Sequence, residues 1–121
     1  VLVHVTSGED YFVNGAIGGG ERIWERDGWG ARLGMTPQLG RDWTLQIPDL
    51  AAFDEYIKAV HAATDAYLET VTPAELDRVV KVFGNERPVA NVLRILVVHA
   101  SGHAGEIATL KAAQGVKGLP F

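Results

Sequence analysis

The chain contains no cysteine among its 121 residues. Disulfides, thiolate metal ligands and a cysteine nucleophile are therefore excluded, and any metal here must be held by nitrogen and oxygen donors. A run of Lys or Arg is also missing: 11 basic residues stand against 15 acidic ones, for a formal net charge of −4. Successive phosphates could not be neutralised, so nucleic acid is not an expected partner. No uninterrupted apolar stretch approaches the ~18 residues that a membrane span needs, and no charged segment leads into a hydrophobic core in the manner of a signal peptide. These absences lead us to expect a cytoplasmic protein with no membrane partner.

What is present is ordinary for a folded chain, 47% hydrophobic and 21% charged. We read residues 1–121 as one domain, large enough for a core and for one site. Val1, His4, Val5, Gly8, Tyr11, Phe12 and Gly15 recur at spacings of three and four, which predicts a helix from Val1 to about Ile17, ended by Gly18-Gly19-Gly20. Gly8 and Gly15 each cost roughly 1 kcal/mol against Ala inside a helix unless close packing requires them. Residues 20–48 hold no sustained period but carry all three tryptophans, Trp24, Trp29 and Trp43. Asp49 can cap a second helix with Leu50, Phe53, Ile57, Val60, Thr64, Tyr67, Leu68 and Val71 on one face. Thr72 to Glu75, TPAE, is a capping box with Pro at the first helical position. RVVKVF reads as a brief strand-like connector ended by Gly84-Asn85, and a last long helix runs from near Pro88 to Gly115. Three long helices predict an all-α bundle, and such bundles close best with four. Val1 is not Met, and VLVHVTSGED already reads as the middle of an amphipathic pattern, so we expect the missing helix upstream of it.

The chemistry-bearing stretch is HASGHAGE, residues 99–106. On a helix His99 and His103 lie about 40° apart and roughly 6 Å along the axis, so both imidazoles can reach one point. The same spacing serves zinc peptidases, where a Glu follows the first His as general base; Ala100 stands there, so that chemistry is not supported. Two readings remain for the pair alone: core histidines satisfied by backbone carbonyls, or a metal pincer. His4 lies on the inward face of the first helix, and an antiparallel bundle can bring it level with the pair. Three neutral imidazoles with an open coordination position would suit Zn²⁺, Ni²⁺ or a similar divalent ion. Glu9 and Asp10 are expected on the exposed side of their helix, and His61 is expected to be structural or at a flank. Tyr11 and Trp43 are candidates for contact with a ligand, although the spacing of Tyr11 also suits packing and the tryptophans could equally anchor a long loop.

His4 in HVTSGEDYF, the pair in HASGHAGEI, the segment WERDGWGARLGM and the ending QGVKGLPF together resemble the DinB-like family over the whole chain. The resemblance implies an up-down-down-up four-helix bundle whose first helix precedes Val1. It also implies a metal site made by one His on the second helix and an H-x3-H pair on the last, carried here by His4, His99 and His103. The family usually has Gln where this chain has Glu106, which puts a carboxylate one turn beyond His103, to orient a ligand or to face solvent rather than to ligate. Similar proteins include bacillithiol-dependent transferases and mycothiol-dependent maleylpyruvate isomerase. The implied function is therefore a metal-dependent thiol transferase, in which a divalent ion, Zn or Ni foremost, activates a low-molecular-weight thiol for attack on an electrophile. The alternative is a non-catalytic protein of stress response that binds metal or a small molecule. The family often dimerises, so a homodimer is expected.

Overall fold

The computed structural model describes residues 1–35 and 46–119. The described chain is mostly helical, with one small sheet. The first predicted helix is present but changes character along its length: α1 spans Leu2–Asp10 and passes without a break into a π-helix over Tyr11–Ile17. In the π segment the N–H of Gly18 reaches back five residues to the carbonyl of Val13 at 2.9 Å. Two single-turn helices follow, α2 (Ile23–Arg26) and α3 (Trp29–Arg32), in a stretch whose sequence shows no period.

Helix α4 covers Leu50–Leu68, and Asp49 caps it as expected, its carboxylate accepting from the N–H of Ala52 at 3.0 Å. Phe53, Tyr56 and Val60 on its inner face are fully buried, each burial stabilising the fold by about 1.5–3 kcal/mol. Leu50 and Leu68, the first and last residues of the helix and expected on that face, are exposed instead. Helix α5 (Pro73–Asp77) starts at the capping box, where the Thr72 hydroxyl accepts from the N–H of Glu75.

The strand-like connector is half of a hairpin: β1 (Val79–Val82) pairs antiparallel with β2 (Asn85–Pro88), Val79 opposite Pro88 and Val82 opposite Asn85. Phe83 and Gly84 make the turn with φ of 50° and 79°, the doubly left-handed geometry of a tight two-residue hairpin, for which Gly is suited and Phe is unusual. Helix α6 then runs over Val89–Ala113, a length of about 38 Å.

Two apolar clusters form the core. Ile23, Trp24, Trp29, Leu33, Phe53, Tyr56 and Val60 join α2, α3 and α4, so Trp24 and Trp29 anchor the irregular segment. Phe12, Ile17, Val80, Val82, Val89 and Val92 join the π-helix, the hairpin and the start of α6. Helix α1 and its π continuation touch both α4 and α6. Beyond Val92 the described part of α6 buries no residue completely, and its histidine-bearing half rests chiefly on α1.

One sequence expectation is overturned in this region. Asp10 is not on the exposed side of its helix: it is fully buried, and Glu9 is partly buried. The Asp10 carboxylate accepts from the N–H groups of Ile23 (2.8 Å) and Trp24 (3.0 Å), from Asn14 Nδ2 (3.0 Å) and from the Tyr56 hydroxyl (2.9 Å). It thus satisfies orphan donors at the start of α2 and ties α1 to α4, which is why a charged residue occurs on the buried face. Burial and the neighbouring Asp10 push the Tyr56 hydroxyl far above the ordinary tyrosine range, so it remains a donor. Glu9 is held by Thr64, whose hydroxyl donates to it at 2.7 Å, with His61 Nε2 at 3.5 Å; His61 itself is more than half exposed, on the flank where it was expected.

Candidate metal centre

The histidine cluster is built by two helices. His4 is carried by the first turns of α1, and His99 and His103 by successive turns of α6. The structure brings these three residues together: one nitrogen from each lies within 4.8 Å of the others. Ring centroids are 4.9 Å apart for His4 and His99, 4.9 Å for His4 and His103, and 4.6 Å for His99 and His103, all edge to face. Nε2 of His99 stands 3.0 Å from Nε2 of His4. Three ligands at ~2.0–2.1 Å from one tetrahedral Zn²⁺ are about 3.3 Å apart, so modest ring adjustments would seat such an ion.

The electrostatics also suit a cation. Burial first, and His103 next, hold His4 below the ordinary histidine range, and the same two causes with His4 as the third hold His99 down. Both rings therefore favour the neutral form, which has a lone pair to give. Two imidazole nitrogens at 3.0 Å repel unless a proton or a cation stands between them. The donor set, all nitrogen and without thiolate, fits Zn²⁺ or Ni²⁺ better than the oxygen-seeking Ca²⁺ or Mg²⁺.

Glu106 is engaged with the cluster. Its Oε2 lies 2.7 Å from Nδ1 of His103, one helical turn away and half exposed. The Nδ1–H donates to the carboxylate, which fixes the tautomer and leaves Nε2 of His103 for a ligand. Tyr11 is not brought to the imidazoles. Its ring stacks on Phe83 at 5.1 Å and lines an open cleft of about 410 Å³ with Gly15, Arg22, Glu25 and Lys81. Trp43 lies outside the described residues.

A family model described as the DinB superfamily matches residues 1–107, a span that includes all three histidines and Glu106. The chain belongs to the DinB superfamily. Neither the search of curated proteins nor that of solved structures returns a match to it. Membership of the DinB superfamily accords with the mostly helical fold and with a histidine cluster able to hold a metal.

Two contributors to the site escaped the sequence reading. Gly8, an internal glycine for which the sequence names no packing partner, lies against His99. Asp10, assigned to solvent, locks the helix that carries His4. The unexplained Gly8 was the one signal available, since the spacing of Asp10 placed it off the apolar face.

Proposed function

We propose that the chain is a metal-dependent thiol transferase in which His4, His99 and His103 hold one divalent ion, Zn or Ni foremost, and residues 1–121 act as one DinB-like domain. The observation that carries this reading is the convergence of three imidazole nitrogens within 4.8 Å on two helices, two of the rings being held neutral by their surroundings. When bound, the ion would supply a positive charge that lowers the pKa of a thiol and holds it as thiolate at neutral pH. The chain's own part is to present the lone pairs, to orient His103 through Glu106, and to offer the Glu106 carboxylate as acceptor for the thiol proton. The sulfur then forms its bond to the electrophilic carbon of a second substrate while the bond from that carbon to its leaving group breaks, the leaving group departing with the bonding pair and taking up the proton held by Glu106. Because the chain has no Cys, the nucleophile belongs to the cosubstrate, a low-molecular-weight thiol of the cytoplasm.

A four-helix arrangement and self-association belong to the same reading. Val97, Val98, Ile107 and Leu110 on α6 and Val1 and Leu2 at the start of α1 are exposed apolar side chains, available to a further helix or a second copy.

The test is a conjugation assay with protein reloaded with Zn²⁺ or Ni²⁺, small thiols and a chromogenic electrophile. Metal-dependent loss of thiol that disappears in His99→Ala supports the transferase. Stoichiometric metal with no conjugation for any thiol leaves the non-catalytic metal-binding alternative.

A further inference from the structure

The three imidazoles are held by different means. His103 is tied at Nδ1 to Glu106, and His4 meets His99 through their Nε2 atoms. Among the described residues His99 has no second tie: its Nδ1 is buried and has no hydrogen-bond partner there. Its orientation is therefore set by what packs around it. One wall is Phe12, edge to face at 6.4 Å between centroids. The other is the backbone of α1 at Gly8, where an added Cβ would lie 3.1 Å from Cε1, 3.6 Å from Nδ1 and 3.9 Å from Nε2 of the His99 ring. Three ring atoms face the same spot, so the imidazole rests on the helix there. Carbon atoms prefer separations of about 3.5–4.0 Å, so a side chain at position 8 would move the ring or the helix by a few tenths of an ångström.

We propose that Gly8 is a positioning residue of the histidine cluster: its missing side chain is the seat on which His99 lies, and it lets α1 and α6 come close enough for the two Nε2 atoms to meet. The geometry is independent of any metal; the effect on affinity rests on the metal-dependent reading above. Metal–nitrogen distances are held to about ±0.2 Å, so a shift of a few tenths is enough to weaken the site while the fold persists. Ala is the better helix former, so a loss caused by Gly8→Ala cannot come from backbone propensity. Gly15→Ala is the matched control, because its Cβ meets neighbours at 3.6 and 3.7 Å, ordinary van der Waals separations.

The experiment is Co²⁺ binding by competition with a chromophoric chelator, read with the visible spectrum of the Co²⁺ protein, for wild type, Gly8→Ala and Gly15→Ala. Thermal unfolding of the same proteins is followed in chelator, with and without His99→Ala. The seat predicts at least a tenfold weaker Co²⁺ affinity and an altered spectrum for Gly8→Ala alone. It also predicts that Gly8→Ala raises the melting temperature more in the His99→Ala background, where the ring is gone, than in the parent. Wild-type affinity and spectrum in Gly8→Ala, with equal melting shifts in both backgrounds, would overturn it. If the parent binds no Co²⁺, the metal reading fails, and the melting comparison alone decides whether His99 sits on Gly8.

Discussion

Two polar clusters sit on α1, about 9 Å apart along its axis, and their chemistry is opposite. Around Asp10, four donors converge on one buried carboxylate, and both of its oxygens are engaged. Around His4, three bases converge, and His103 is tied outward at Nδ1 to Glu106. The first cluster is complete without a ligand: it fastens α1 to the start of α2 and to α4. In the second, Nε2 of His4 meets Nε2 of His99 at 3.0 Å, a contact that either a shared proton or a shared cation satisfies. A buried polar group whose partners all lie within the protein is structural, whereas one left unpartnered, as Nδ1 of His99 is among the described residues, calls for a further explanation.

The sharpest break of this comparison is at Asp10. Asp10→Ala strands the N–H groups of Ile23 and Trp24 and the Tyr56 hydroxyl, and we expect a loss of about 3 kcal/mol in denaturant unfolding. Its metal affinity per folded molecule should change little. His103→Ala is the converse, removing one of three ligands: divalent-ion affinity should fall by a factor on the order of 100 in chelator competition, with a small change in unfolding of the metal-free protein. Glu106→Ala should weaken metal binding about tenfold, since loss of a carboxylate that orients a histidine ligand costs roughly 10–100-fold, while Glu106→Gln retains an acceptor oxygen and stays closer to wild type. Asn14→Ala removes only one of the four donors to Asp10 and should cost about 1 kcal/mol.

The smallest effect is in the pH dependence of the metal-free protein. His4 and His99 titrate below 6.5 when folded and near 6.5 when unfolded. The unfolded chain binds more protons as the pH drops, so this contribution is complete above pH 6.5 and is lost as pH falls through the depressed folded values. Thermal melts in chelator between pH 7.5 and 5.5 should show a decline that is reduced in the His4→Ala, His99→Ala double variant; an unchanged decline would mean that other groups cause it.

Local patterns carried much of this structure. The i, i+4 spacing of His99 and His103, the Asp49 cap, the TPAE box and the inner stripe of α4 are all contained within a turn or two of helix, and the described elements follow them closely. The features that were not legible depend on distant partners. Asp10 looks like any surface carboxylate until chain 13 and 46 residues further on supplies its donors. Gly8 reads as a helix defect until His99 arrives from α6. The hairpin was seen only by its apolar half: β1 alternates, burying Val80 and Val82, whereas NERP buries nothing completely and ends in Pro, so its pairing could not be read from pattern. The π-helix is invisible to a period of 3.6, since it changes the register without changing the residue types.

The central claim is that the histidine cluster holds a metal, and it is tested most directly by elemental analysis of protein purified without chelator or a polyhistidine tag. The account predicts close to one Zn, Ni or similar divalent ion per chain, either as purified or after reconstitution. A wild-type protein that takes up no divalent ion under either condition would contradict it, and His4, His99 and His103 would then be three imidazoles sharing protons at a helix contact.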